Sequence, residues 1–493
     1  MLSPHYLESV ANDLLRLYDQ LEESILQDIV RRIVKTDFVT DTAKWQLEQL
    51  QNSGTVYQDT LDKIAKITGK SEAELIKLFN EAAVESLSYD NQVYEAAGLT
   101  PIDIKQSPAM LQTLTAGLQK TAGSLKNLTL TTALASQSAY INFSNLAYMQ
   151  IISGAFDYAQ AIRQAIQQAA WQGAEVLYPT GHRDKLDVAV RRTVLTGVNQ
   201  TVSKVSLDNA VNMGTGLVRV TAHSGARPSH DAWQGKIYSL NGPTEQYGDF
   251  YASTGYGTGD GLCGWNCRHN FYPYIEGVDE EMYSAADLRE MNSAKYEYNG
   301  KKYTEYEVSQ MQRTMERRVR QTRRELTGYD TAIKETLFDE LKAPLQNDFN
   351  IAAVQLKGQE AALKDLLKQT GFRNQTERLQ VAGFGRSVSR QAVVINQKVQ
   401  SYNKLIGVTT STGISVTALS PHLGLRAIER NVSVGDIKDA LIKPLDFGKI
   451  RADASQQFIG EKATAVINTE SGKLVTTWPT KRKTAEKLKR RKS

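Results

Sequence analysis

The sequence predicts a multidomain, mainly α protein with α+β parts. It places a helical region at the N-terminus, an α+β domain in the centre and a small α+β domain with an antiparallel sheet at the C-terminus. Three observations carry this. Apolar residues recur at three- and four-residue steps through the first 180 or so positions, which is helical periodicity. A short, alternating, β-branched stretch, "GLVRVTAH", interrupts that pattern in the middle of the chain. Near the end, two short helical pieces precede three strand-like runs.

In order, residues 1–180 read as the helical N-terminal region. Leu14, Leu17, Leu21, Ile25, Ile29 and Ile33 form one stripe of an amphipathic helix. "SEAE" at Ser71–Glu74 has capping-box spacing ahead of "LIKLF" and predicts a helix start there. Such stripes pack against neighbouring helices or against another subunit, and periodicity does not separate the two.

The central domain is expected over 181–345. "YPTGHRDKLDVAVRR" breaks the helical run and restarts it, and Val190, Val194, Val198, Val202 and Val205 make a ridge that continues the helix to about Gly214. After the strand "GLVRVTAH", the segment Asn241–Gly261 is rich in Gly, Tyr, Thr and Asp and reads as a long surface loop. Its "GYGTGDG" lacks the following Lys-Ser/Thr of a phosphate loop, which argues against a nucleotide site. "NGKKYTEYEVSQMQRTMERRVRQTRRELTGY" predicts a turn and a long helix. Arg313, Arg317, Arg320 and Arg324 line one side of it. The plain expectation is a solvated face interleaved with Glu316 and Glu325, and the alternative is contact with packaged DNA or an acidic partner.

Residues 346–395 are expected to be a helix ("AAVQLKGQEAALKDLLKQT") and an irregular linker, and 396–480 the small C-terminal domain. There "SPHLGLRAIERN" and "SVGDIKDALIKP" read as helices, and "QQFIG", "ATAVIN" and "KLVTTW" as strands, the last two joined into a hairpin by "TESGK". Residues 481–493 form a basic tail with eight Lys/Arg against the single Glu486. The whole chain has a net charge of +5, so the tail's +7 leaves the rest close to −2. A tail of this kind is ordinarily a solvated, mobile end, and one this basic also binds phosphates non-specifically.

Composition narrows the class. With 41% hydrophobic and 23% charged residues the chain is globular, and no apolar run reaches the roughly 18–20 residues of a membrane span. The amphipathic start lacks a basic n-region and does not read as a signal peptide. Two cysteines cannot build a disulfide framework, so a reducing compartment and synthesis in a cytoplasm are expected.

Both cysteines stand in "GLCGWNCRHN", with His269 two residues after Cys267, and "TAHSGARPSHDAWQGKIY" adds His223 and His230 upstream. Cys-x3-Cys-x-His is not a standard zinc spacing. Cys263 and Cys267, with one or two of His223, His230 and His269, nonetheless supply tetrahedral ligands if the strand and the loop meet. The other reading is a structural polar core, in which the cysteines are small buried hydrophobes and Asp231 and Trp233 help hold the histidines. A Cys–His protease is the weakest reading, since no oxyanion or specificity element is legible.

At these residues the chain resembles the phage minor capsid, or Mu F-like head morphogenesis, proteins. "HSGARPSHDAWQGKIY", "GLCGWNCRH" and "NGKKYTEYEVSQMQRTMERRVR" carry the resemblance, which runs from about Tyr178 to Tyr329 and more loosely into the helical part. It implies a minor structural protein of a tailed-phage head, located in the virion, present in few copies, and partnered by the portal and other head proteins rather than a membrane. It transfers no catalytic residue to this region, and it favours a structural role for the Cys and His positions with or without zinc.

In the C-terminal domain His422, Arg426 and Arg430 are spaced to share one helix face. One imidazole beside two guanidinium groups suits phosphodiester cleavage; the bland alternative is a solvated basic helix with an incidental histidine. Ser415–Thr480 resembles the phage-encoded domains of the barnase/EndoU/colicin/RelE-like ribonuclease fold. The resemblance implies that His422 and Arg426 are an acid–base and phosphate-binding pair, that Arg430 assists, and that Thr476 offers a hydroxyl. It also implies a metal-independent attack of a 2′-hydroxyl on host RNA by an effector injected with the DNA. Simple alternation, however, puts Thr476 on a core face with Leu474 and Trp478 and exposes Thr477 instead. The alternative is a purely structural head protein with a catalytically inactive last domain.

Overall fold

Leu14, Leu21, Ile25, Ile29 and Ile33 are all buried along one helix, so the stripe at the start of the chain is a packing seam. The computed structural model describes residues 1–36, 42–278 and 282–492. The chain divides into two units, Met1–Arg324 with Ala361–Gly383, and Glu325–Glu360 with Phe384–Ser493. It therefore passes between units three times. Among the described residues, no helix is long and apolar enough to cross a membrane.

The first unit opens with five helices: α1 (Pro4–Ser9), α2 (Asn12–Lys35), α3 (Thr42–Ala96), α4 (Pro108–Ile152) and α5 (Tyr158–Gln172). A hairpin of β1 (Glu175–Leu177) and β2 (Arg183–Lys185) leads into α6 (Leu186–Asn212). Local chemistry sets the starts. Ser107 caps α4 through the Met110 amide, with Pro108 in the first turn, and Asp157 caps α5 in a reciprocal box with Gln160. The helix start expected at Ser71 does not exist. α3 runs through it, and the Ser71 hydroxyl donates back to the Thr68 carbonyl at 3.0 Å. Nothing upstream breaks the helix, and a serine inside a helix can satisfy itself this way.

The valine ridge of α6 is wholly buried. α4 and α6 meet through a reciprocal exchange of small residues: a Cβ on Gly117 would lie 2.0 Å from Thr201 Oγ1, and one on Gly197 would lie 2.2 Å from Thr121 Oγ1. Only hydrogen fits at either glycine.

Next come β3 (Leu217–Val220), β4 (Ile237–Ser239), β5 (Gly248–Asp249), α7 (Phe250–Thr254) and β6 (Phe271–Pro273). They form a sheet of order β5-β4-β3-β6, antiparallel except for β4 with β5. The segment expected to be a surface loop is thus partly built in, with Phe250, Thr254 and Gly261 buried. After α8 (Ala285–Met291), the hairpin β7 (Tyr296–Tyr298) and β8 (Lys301–Tyr303) turns on Asn299 and Gly300, both at positive φ, and α9 (Glu305–Glu335) follows.

The arginine side of α9 is not the solvated face expected. Arg324 is buried, and Arg320 meets Asp19 at 2.9 Å and Glu22 at 3.3 Å while also pairing with Asp187. Arg324 meets the same Glu22 at 3.1 Å. The partners come from α2 and α6, far away in sequence. Two guanidinium groups serve three carboxylates, and burial pushes Asp19 up to about 7. Glu316 and Glu325 are buried too. Of the four arginines only Arg317 is exposed.

α10 (Asp339–Thr370) and a 3-10 turn at Thr376–Leu379 follow; in the first unit, Arg378 of that turn pairs with Glu8 at 3.0 Å. The stretch expected to be an irregular linker ends in helix from Arg386. The second unit holds α11 (Arg386–Ser401), β9 (Ala418–Leu419), α12 (Leu423–Glu429), α13 (Val434–Ile442), β10 (Asp446–Phe447), β11 (Ser455–Ile459), β12 (Ala463–Asn468), β13 (Lys473–Pro479) and α14 (Arg482–Lys492). The sheet order is β10-β11-β12-β13-β9, antiparallel but for β9, which lies parallel to β13. Leu423, Ala427, Ile437, Leu441, Phe458 and Leu474 fill its core. The basic tail is a helix rather than a mobile end: Ala485 and Leu488 are buried, and Lys489 meets Glu461 at 2.6 Å. Ser493 lies outside the described residues.

Glu23, also on α2, is buried with Oε2 lacking a hydrogen-bond partner among the described residues, and burial raises it from 4.5 to about 7. Between those values the folded chain holds a proton that the unfolded chain has lost. Its contribution to stability is therefore full below that window and falls as pH rises through it. Glu23→Gln should be more stable than the parent at pH 8, on the order of 1–3 kcal/mol, with the difference closing towards pH ~4.5, as denaturation at the two pH values would show.

Candidate functional site

The strand and the loop that carry the cysteines and histidines do meet. β3 pairs with β6, Val220 opposite Phe271, and the pairing continues one step beyond the strands: the Thr221 amide donates to the Asn270 carbonyl at 2.9 Å, and the Asn270 amide to Thr221 Oγ1 at 3.0 Å. This seats His223 and His230, just past β3, against Cys263–His269, just before β6.

A polar residue of α6 holds the loop in place. Asn199, fully buried, donates its side-chain amide to the carbonyls of Cys267 at 3.1 Å and His269 at 2.9 Å, and its own oxygen accepts from Asn270 Nδ2 at 2.7 Å. The glycines complete the loop. A Cβ on Gly261 would lie 2.0 Å from the Gly255 carbonyl oxygen, and one on Gly264 would lie 2.3 Å from that of Gly259. The glycines of "GYGTGDG" meet different demands: Gly261 lies against backbone, Gly259 lies against the Trp265 ring, and Gly255 and Gly257 adopt positive φ. Cys263 and Asn266 sit at φ 59° and 55°; Asn tolerates this conformation, whereas Cys263 is strained and kept there by the surrounding contacts.

Within this frame three groups converge. His269 Nδ1 lies 3.3 Å from His230 Nδ1 and 3.6 Å from Cys267 Sγ, and all three side chains are buried. Among the described residues, His230, Cys267 and His269 are the cluster that could hold a metal ion, their ligand atoms all within 4.8 Å of one another. The other two residues singled out in sequence are nearby but differently engaged. Cys263 points its thiol at the His269 carbonyl, 3.6 Å away, within an apolar core that includes Val218, Phe250 and Leu262. His223 lies flat against the His269 ring, 4.3 Å between centroids, with Nδ1 bonded to the Ser224 carbonyl at 2.8 Å. Burial brings His223 down to about 4, helped by Arg268, lowers His230 and holds His269 well below the usual imidazole range. Burial raises both thiols.

Sequence reasoning missed Asn199, Gln234, whose Oε1 lies 3.0 Å from His269 Nε2, and Asp260, whose carbonyl lies 3.2 Å from His230 Nε2. Asn199 left a faint trace as an amide inside a valine ridge. The contact through Asp260 is a backbone carbonyl, which no sequence reveals. The expected helper Asp231 contributes through Gln234, whose Nε2 lies 3.3 Å from it.

In the second unit His422, Arg426 and Arg430 are all exposed. α12 covers only Leu423–Glu429, so His422 and Arg430 flank it rather than lying within it. Arg430 donates to the Thr477 carbonyl at 2.7 Å, tying the helix end to β13. The alternation expected in β13 fails. Val466 pairs with Thr476 but Ile467 with Leu474, so Val475 is an extra, bulged residue that inverts the facing beyond it. Leu474 and Thr477 are both fully buried, and the Thr477 hydroxyl donates to the Thr464 carbonyl at 2.9 Å. Thr476 is half-exposed.

Comparison with known proteins adds three findings. The family model for phage minor capsid protein 2 matches residues 2–368, a longer stretch than the motifs around the cysteines. A structural protein of Lactococcus phage LL-H is 24% identical over 294 residues, covering 57% of this chain and 76% of the relative. No solved structure matches.

Removing the Asn199 amide strands two buried carbonyls at once, each costing about 1–3 kcal/mol. Asn199→Leu should therefore destabilise the first unit by about 2–5 kcal/mol, while exposed Lys204→Ala on the same helix should shift stability by less than about 0.5 kcal/mol; calorimetry of the two variants decides.

Proposed function

The chain belongs to the phage minor capsid protein 2 family, and we propose that it is a minor structural protein of a tailed-phage head, acting close to the portal during head morphogenesis. The carrying observation is the family match over residues 2–368, which takes in the helical region and the whole Cys/His module. The relative described as a structural protein supports the same reading. The surface is suited to assembly. α3 and α4 expose Leu47, Leu50, Val84, Leu130, Leu134 and Met149, apolar side chains that lie open in the isolated chain. Other head proteins are the partners this reading requires, and the virion is its location. Mass spectrometry of purified proheads and virions should find the chain at a small fraction of the major capsid protein; its absence from both would overturn the role.

A second reading attaches to the C-terminal unit. The bond from Arg430 to the Thr477 carbonyl holds α12 beside the strand that carries half-exposed Thr476, so His422, Arg426 and Thr476 belong to adjoining elements. This supports RNA cleavage, with His422 moving the proton and Arg426 holding the phosphate. Arg430, engaged by backbone, positions the helix. Full-length protein should degrade RNA without added metal, and His422→Ala should abolish this. Equal degradation by parent and variant, or none by either, would leave a catalytically inactive, purely structural domain.

A further inference from the structure

The hydrogen-bond partners around the histidine pair fix where its protons sit, and the result is an electrostatic conflict. The Gln234 amide has one possible orientation. Its oxygen accepts the backbone N–H of His223 at 3.2 Å, and its nitrogen faces the carboxyl oxygen of Asp231 at 3.3 Å and the amide oxygen of Asn292 at 3.4 Å. That same Gln234 oxygen lies 3.0 Å from His269 Nε2, so Nε2 carries the proton of His269. His230 Nε2 lies 3.2 Å from the Asp260 backbone carbonyl, which can only accept, so Nε2 carries the proton of His230 as well. A neutral imidazole has one N–H. Both Nδ1 atoms are therefore bare lone pairs, and they face each other at 3.3 Å in a buried site. The Cys267 thiol can donate to one of them and leaves the other unsatisfied, at the full cost of a buried orphan acceptor.

A metal ion resolves the conflict. We propose that His230 Nδ1, His269 Nδ1 and Cys267 Sγ are the protein ligands of one tetrahedral zinc ion. Zn–N bonds of about 2.0–2.1 Å and a Zn–S bond of about 2.3 Å at tetrahedral angles put N and N about 3.3 Å apart and N and S about 3.6 Å apart. The observed separations from His269 Nδ1 are 3.3 Å to His230 Nδ1 and 3.6 Å to Cys267 Sγ, and His230 and Cys267 place their ligand atoms within 4.8 Å of each other. A thiolate with two imidazoles selects zinc over magnesium or calcium. The outer bonds, from His269 Nε2 to Gln234 and from His230 Nε2 to the Asp260 carbonyl, hold each ring turned so that its Nδ1 faces the ion. Cys263 and His223 fall outside the set, the first by the direction of its thiol and the second by stacking face-on. Binding converts the Cys267 S–H to an S–Zn bond and releases its proton to the buffer. The three ligands also line a cavity of about 430 Å³ that is bounded by Glu8, Arg227 and Arg268, and water from it completes the coordination. These ligands would bind zinc whether or not the chain is a head protein.

The test uses the full-length protein. Elemental analysis after purification without chelators should find one zinc per chain. The zinc should persist in Cys263→Ser and His223→Ala and fall at least tenfold in Cys267→Ser. Because Cys267→Ser could misfold, a second measurement keeps the backbone unchanged: chelator-stripped parent protein is titrated with Co²⁺. One equivalent should produce the intense visible bands of tetrahedral cobalt with a thiolate charge-transfer band, and Gln234→Leu should weaken this binding about 10–100-fold. Absence of both zinc and a tetrahedral cobalt spectrum, or loss of metal in Cys263→Ser with retention in Cys267→Ser, would overturn the site.

Discussion

The buried amide of Asn199 is the constraint on which the centre of the molecule depends. One side chain of α6 satisfies the carbonyls of Cys267 and His269 and is itself satisfied by Asn270. Without it, a loop of glycines and residues in unfavourable backbone conformations would keep its ties to α6 through Asn266 with Thr196 and Tyr256 with Ser203 but lose the bonds that satisfy its two buried carbonyls. With it, the end of β3 and the approach to β6 are in register, and three imidazoles and two thiols share one small volume. Burial then does the chemistry: it keeps the rings neutral and makes every unsatisfied lone pair expensive.

Much of this architecture was legible in the sequence. The stripe of α2, the ridge of α6 and the strands β3, β11, β12 and β13 follow from periodicity, since burial on one face is a local pattern. The two segments that make the site were legible as a pair, because their cysteines and histidines are otherwise rare in the chain. The division of labour inside the site was not. Which nitrogen faces which depends on Gln234 and on the Asp260 carbonyl, and on contacts made across some 35 residues. The arginines of α9 were misread for the same reason: the carboxylate of Asp19 stands 301 positions away from Arg320. Thr476 and Thr477 exchanged roles because one bulged residue reverses the parity of a strand, and nothing in "LVTTWP" announces a bulge.

The two units differ in how they are held. The first combines apolar seams, the stripe of α2 and the valine ridge of α6, with buried charge. Its helices are joined by guanidinium groups that share carboxylates, an arrangement that gives little net stability but tolerates few alternative packings. The second relies on an apolar core, Tyr402 to Leu474, whose residues lie close together in sequence. Among its polar bonds, Arg430 at the end of α12 reaches the Thr477 carbonyl within β13.

The interleaved path of the chain has a consequence for biosynthesis. Glu8 and Arg323 find their partners in Arg378 and in the Leu379 carbonyl. A ribosome reaches those partners only after it has already extruded residues 325–360, which belong to the other unit. The larger unit must stay open while a piece of its neighbour emerges, so the nascent protein cannot mature strictly from front to back. A polypeptide released before residue 378 would leave the ribosome with Glu8 of its first helix still lacking Arg378, one of the cations that fasten it.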